Sequence, residues 1–141
     1  MSMVLTVGSF TSLHEDHDSL ISFCEDLKGR NGALRVGLNS SRLIKERKGF
    51  TPPITSVRIN NMMNRYRDTI DYYNDYDPDY DMGMYAMIQR YSINVLAVGS
   101  DWAHPQDYMS LVDLTFKDLH ELGCVLAFIP SLRRVHSSDF R

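Results

Sequence analysis

Short apolar runs alternate along the chain with stretches of helical period. Residues 3–8 (Met-Val-Leu-Thr-Val-Gly) form a compact apolar run closed by glycine, the pattern of a strand buried on both faces. Residues 17–28 then place Leu20, Ile21, Cys24 and Leu27 on one helical face. Glu15, Asp16 and Asp18 lie in the first turn, where acidic side chains suit the helix dipole. Gly29 to Gly32 reads as a loop and 33–38 as a second strand, and Asn39-Ser40-Ser41 has the composition of a helix N-cap or turn. The basic, breaker-rich run from Lys45 to Pro53 is expected to be a loop. A helix opening near Thr55 or Ser56 carries Ile59, Met62, Met63 and Tyr66 on one face, with Arg58 in its first turn. Residues 69–73 suit a short third strand, 83–91 a helix, and Ile93 to Val98 a fourth strand closed by Gly99. Tyr108 to Leu122 reads as one helix with Leu111, Val112, Leu119 and Leu122 inward and Gly123 as its stop. Cys124 to Ile129 reads as a fifth strand, ended by Pro130.

Strands alternating with helices predict an α/β fold: a five-stranded, mostly parallel sheet with right-handed crossovers and flanking helices. At 141 residues, one domain spanning 1–141 is expected, and neither an internal repeat nor a linker interrupts it. Asn74 to Met82 fits no core-forming period. There Asp75, Asp77, Asp79 and Asp81 alternate with tyrosine or proline, and seven of the eight tyrosines fall between Tyr66 and Tyr91. This stretch reads as a surface loop inserted into the domain.

Composition narrows the function classes. A hydrophobic fraction of 43% and a charged fraction of 23% are ordinary for a soluble globular protein. The net charge of −3 argues against a nucleic-acid partner, which would call for a basic excess. No apolar run approaches the roughly 20 residues that span a bilayer, so no membrane insertion is expected. Cys24 and Cys124 form no Cys-x-x-Cys pair and read as buried thiols. With no pattern of a signal peptide, a cytoplasmic setting is the expectation.

Three clusters sit just after expected strands, and hence along one edge of the sheet. They are His14 and His17, then Gly99-Ser100-Asp101-Trp102, and then Arg133 and Arg134 with Ser137 and Ser138. Lys45, Lys48 and Arg58 lie between them in sequence. Ligands of open α/β sheets bind beyond the carboxyl ends of the strands, and a helix N-terminus there offers N–H groups to a phosphate. Cations, imidazoles and hydroxyls together suit a polyphosphate. A His-x-x-His pair alone also allows surface histidines or a metal site. No third metal ligand stands at a recognisable spacing, so no protein metal ligands are assigned.

Gly8-Ser9-Phe10…His14-Glu15-Asp16-His17, Gly99-Ser100-Asp101-Trp102 and Val135-His136-Ser137-Ser138 resemble the three ordered signatures of the cytidylyltransferase family. These are nucleotidyltransferases that read Gly-Thr-Phe-Asp…His-x-Gly-His, Gly-x-Asp-Trp and a closing Arg…Ser-Thr-Thr. By size and layout the chain is most similar to the glycerol-3-phosphate cytidylyltransferase branch. The resemblance implies a Rossmann-like domain in which a phosphorylated alcohol attacks the α-phosphorus of a nucleoside triphosphate, CTP foremost, and pyrophosphate leaves. It implies phosphate contacts from the catalytic set His14, His17, Lys48 and Arg58. It implies a nucleotide site of Gly8, Ser9, Phe10, Lys45, Gly99, Asp101, Trp102, Arg133, Ser137 and Ser138. A Mg²⁺ ion would accompany the nucleotide, and a homodimer is among the expectations because relatives commonly dimerise. The chain departs from the pattern at Asp16 (glycine in the family), at Thr11 (aspartate) and at Ser131, with Arg133 two residues beyond the family's arginine position. These departures keep a non-catalytic nucleotide-binding or protein-interaction relative open as one alternative. An adenylyltransferase is the other.

Overall fold

The structure is a computed structural model that describes residues 2–99 and 105–129. Five strands form one sheet: β1 (Met3–Gly8), β2 (Ala33–Asn39), β3 (Tyr72–Tyr76), β4 (Val95–Gly99) and β5 (Val125–Ile129). Their order is β3-β2-β1-β4-β5 and every pairing is parallel. The fold is Rossmann-like. The chain steps outward from β1 through β2 to β3, then crosses back to pair β4 on the other side of β1. Such a reversal, here between β1 and β4, marks where open α/β sheets bind ligands, outside the carboxyl ends of the strands.

Helices cover both faces. Val4, Leu34, Val36 and Leu38 pack beneath α1 (Glu15–Lys28) and α3 (Thr55–Arg65), which contribute Ile21, Cys24 and Met62, joined by Tyr66 at the C-cap of α3. On the other face Leu5, Leu96 and Val98 meet Leu43 of α2 (Ser41–Lys48) and Met84, Met87 and Ile88 of α4 (Met84–Arg90). Tyr108 and Met109 of α5 (Pro105–Leu111) and Leu119 of α6 (Phe116–Leu122) complete that cluster. Cys24 and Cys124 are buried free thiols, and burial pushes their pKa values up to about 12 and about 11. No helix among the described residues is long and apolar enough to cross a membrane.

Four expectations from the sequence are corrected. Lys45 to Lys48 is not loop: α2 runs to Lys48, begins at the Ser40 cap and stops at Gly49 in the left-handed conformation (φ 79°). Its basic last turn suits the dipole.

The third strand starts at Tyr72 rather than residue 69, because the approach to it is tied down. The Asp71 carboxylate accepts from the Leu34 N–H (2.8 Å) and from Lys28 Nζ (3.0 Å). Residues 74–76 therefore belong to the sheet, not to a surface loop.

The expected helix over 108–122 is two helices. The backbone turns left-handed at Asp113 (φ 56°), and Thr115 and Asp118 then form a reciprocal capping box that starts α6. Leu27, Met63 and Leu111, expected inward, are exposed.

Candidate functional site

The chain leaves β1 through Gly8, Ser9 and Phe10, and the conformation here is unusual. Phe10 is buried yet has φ 49°, a region that non-glycine residues seldom occupy. Its ring folds back over Gly8. A Cβ at position 8 would stand 3.0 Å from Phe10 Cε2, so a side chain there would push the ring away by a few tenths of an ångström. The Phe10 ring in turn lies 5.2 Å, centroid to centroid, from the ring of His17. Strand end, glycine and buried aromatic together set where the imidazole stands.

His14 and His17 form the N-terminal cap of α1. His14 Nδ1 accepts from the Asp16 N–H (3.2 Å), and His17 Nδ1 accepts from the His14 N–H (3.3 Å). The rings are 4.2 Å apart. Because each Nδ1 acts as an acceptor, hydrogen-bond geometry assigns the neutral-ring proton to Nε2 in both residues. Imidazole N–H groups are donors of the kind that an anion such as phosphate accepts from. The His14 ring substitutes for the usual Ser or Asp cap, and the helix starts at Glu15, within the first turn expected from the acidic residues. The Asp16 carboxylate reaches 4.0 Å from His14 Nδ1.

Arg58 occupies a different place from the one expected of a phosphate ligand. It is 0% exposed. Its Nη1 donates to the carbonyls of Ser9 (2.9 Å) and Asn39 (2.8 Å), its Nε to the carbonyl of Pro53 (2.8 Å), and its Nη2 to Thr55 Oγ1 (3.2 Å). Burial holds its pKa below the ordinary arginine value. The residue stitches the carboxyl ends of β1 and β2 to the start of α3. Asn39 adds a second stitch, donating to Ser9 Oγ at 3.1 Å.

Lys45 and Lys48 stand exposed on α2, and their side chains make no hydrogen bond or ion pair among the described residues. Gly99 ends β4, directly beside β1 in the sheet, where Thr6 pairs with Ala97. Asp101, Trp102, Arg133, Ser137 and Ser138 lie outside the described residues. So the structure brings Gly8, Ser9, Phe10, His14, His17 and Gly99 to the carboxyl edge around β1, and leaves Arg58 beneath it.

A polar network went unnoticed in the sequence. Arg42, at the start of α2, makes a two-pronged pair with Asp77 (Nε–Oδ2 2.9 Å, Nη2–Oδ1 2.7 Å). It also donates to Asp79 (2.6 Å) and to Glu46, and its guanidinium lies 4.7 Å from the centre of the Tyr80 ring. The Arg42 guanidinium holds the Asp77 carboxyl down at about 2. No local period could have revealed a pair 35 residues apart. The one signal was the unexplained Tyr/Asp stretch itself.

Two open depressions lie on the α1/α3 flank, neither of them lined by the histidines. One, of about 450 Å³, is lined by Asp18, Glu25, Arg65, Tyr66 and their neighbours. The other, of about 370 Å³, is lined by Thr11, Leu13, Asn61, Asn64 and Arg65. The polar walls of the first are already cross-linked: Arg65 pairs with both oxygens of Asp18 (2.7 Å each), and Tyr66 donates to Asp18 Oδ1 (2.9 Å). Among the described residues no group of three or more His, Cys, Asp or Glu side chains is arranged to hold a metal.

No protein-family model matches the chain. Over 101 residues it is 31% identical to "Bifunctional protein HldE" of Campylobacter fetus subsp. fetus (strain 82-40), a match covering 72% of this chain and 21% of that protein. The chain thus spans about a fifth of that relative's length. Among solved structures, it resembles a lipopolysaccharide core biosynthesis protein from Thermoplasma volcanium GSS1 (TM-score 0.67, 14% identity), covering 93% of this chain and 96% of that one. It also resembles a protein of unknown function from Archaeoglobus fulgidus (TM-score 0.62, 23% identity), with 92% and 98% covered. At these identities the two structures bear on the fold alone, and both extend over nearly the whole of it.

Proposed function

We propose that the chain is a nucleotidyltransferase that moves a nucleotidyl group, cytidylyl foremost, from a nucleoside triphosphate to a small phosphorylated alcohol such as glycerol 3-phosphate, releasing pyrophosphate. The observation that carries this reading is the capped histidine pair. Two imidazoles beyond the carboxyl end of β1 present Nε2 donors, and their Nδ1 atoms are held by the backbone of α1. The similarity to HldE, which covers most of this chain, supports it.

In such a transfer the protein has little covalent work to do. Positioning and neutralisation of charge on the transferred phosphoryl group dominate. His14 and His17 would donate to phosphate oxygens as charge develops there. Phe10 and Gly8 fix the rings, and Arg58 fixes the loop that carries them. Lys45 and Lys48 would meet the outer phosphates, and Asp101, Trp102, Arg133, Ser137 and Ser138 keep the nucleotide roles that the resemblance gives them. Mg²⁺ would enter with the nucleotide, whose phosphates supply its hard oxygen ligands. Asp16 offers a further carboxylate beside His14.

Asp16 also favours a second reading, a relative that binds a nucleotide without turning it over. A carboxylate in the first turn of α1 sets negative charge against a phosphate. Incubation with CTP, ATP, GTP or UTP, Mg²⁺ and a panel of phosphorylated acceptors, followed by pyrophosphate release, separates the readings. CTP-dependent release supports transfer, and release with ATP alone would make the chain an adenylyltransferase. No release with any triphosphate, together with measurable CTP binding by calorimetry, leaves the binding-only relative.

A further inference from the structure

The Tyr/Asp-rich stretch has a structural employer, and that employer is α2. Asp77 is 8% exposed and takes three side-chain donors: Arg42 Nε, Arg42 Nη2 and the Ser40 hydroxyl at 2.7 Å. Ser40 is the N-cap of α2; its oxygen accepts from the Leu43 N–H (3.1 Å), and its own N–H donates to the Tyr76 carbonyl (2.9 Å). The whole first turn of α2 is thereby pinned to the exit of β3.

The far end of the helix is built differently. Of the basic residues on α2, Arg42 is consumed by Asp77, Asp79 and Glu46, while Lys45 and Lys48 have no ion partner among the described residues. An eight-residue helix has little stability of its own, so its direction depends on its anchors. It is about 12 Å long at 1.5 Å per residue. A tilt of about 10° at the pinned turn would move the last turn by about 2 Å, and a misplacement of about 1 Å can cost roughly 100-fold in rate.

We propose that Asp77 and Arg42 are positioning residues: they aim the basic last turn of α2, with Lys45 and Lys48, at the phosphates of the bound nucleotide. This rests on the nucleotidyl-transfer reading above. It assigns the acidic stretch a part in the reaction although none of its carboxylates touches substrate.

The test is a double-mutant cycle on the full chain with CTP–Mg²⁺ and glycerol 3-phosphate. Asp77→Asn and Arg42→Gln are each made in the wild-type background and in a Lys45→Ala/Lys48→Ala background. Because Arg42→Gln also leaves the Asp77 carboxylate without its guanidinium, each variant is first shown by circular dichroism to be folded at the assay temperature. In the wild-type background each is expected to lower kcat/KM for CTP by 10- to 100-fold. In the lysine-less background each should cost less than twofold more, because the two lysines that the anchor aims are gone. Arg42→Lys should fail to restore activity, since an ammonium lacks the guanidinium fork. Equal losses in both backgrounds, or full activity of the single variants, would overturn the proposal while leaving the transfer reading intact. A wild-type chain that neither binds CTP nor releases pyrophosphate would overturn both.

Discussion

Replacing Arg58 with methionine tests the placement of that residue beneath the site. The side chain is fully buried and bonded to the carbonyls of Pro53, Ser9 and Asn39 and to the Thr55 hydroxyl. Methionine fills most of the volume but leaves three part-buried carbonyls without their donor, at up to about 1–3 kcal/mol each. Removing a desolvated cation gives part of this back. The net loss expected is about 3–5 kcal/mol, in the range found when one partner of a buried charged network is deleted. Unfolding entropy near the midpoint is about 2.1 cal/mol/K per residue, or about 0.3 kcal/mol/K for a chain of this length. The Tm should therefore fall by about 10–17 °C, read by circular dichroism or calorimetry. Arg58→Lys keeps the charge without the fork and should fall between wild type and methionine. A drop of less than about 3 °C for Arg58→Met, with transfer activity lost, would refute this reasoning. That result would return Arg58 to the phosphate-contacting role suggested by the sequence.

Two further predictions follow from single residues. Asp16→Gly removes a carboxylate from beside the phosphate position and should tighten CTP binding roughly 3- to 10-fold, since one charge about 5 Å away in water is worth about 0.8 kcal/mol. The same change should cost about 0.3 kcal/mol through helix propensity, aspartate being a poor helix former itself, and about 0.3–1 kcal/mol through the lost first-turn charge, and calorimetric affinities identical to wild type would show that the carboxylate turns away. For Asp77, the pKa falls from an ordinary 3.8 to about 2 on folding. A depressed carboxylate stabilises the fold above its unfolded pKa and loses that contribution as pH falls through the folded value. Wild type should therefore exceed Asp77→Asn in stability by a constant margin above about pH 5, with the margin closing between about pH 4 and 2. Denaturant melts that show the same margin at pH 2 as at pH 7 would contradict the pairing.

Much of the fold was legible because its carriers are local. The apolar runs at β1, β2 and β4 declare buried strands, and Gly8 and Gly99 mark where they end. His14 and His17 were legible as a pair from their position after β1. What was missed depends on contacts between distant parts of the chain. Nothing in the local sequence separates an exposed arginine in a first helical turn from Arg58, which is buried because three carbonyls converge on it. Tyr72 to Tyr76 lacks the apolar character of a buried strand because it is an edge, and its pairing with β2 is what makes it a strand. The break in the helix expected over 108–122 did carry a signal, Thr115 three residues before Asp118, but the apolar spacing across it reads equally well as one helix.

The edge position of β3 has a consequence for how copies of this chain meet. An open edge strand offers unpaired backbone groups to any other strand. Here Asp75, within β3, is an exposed carboxylate. A second copy docking its own β3 alongside would bring like charges together across the new pair, which is unfavourable. The acidic run that stabilises α2 from one end thus also protects the sheet from uncontrolled growth at the other.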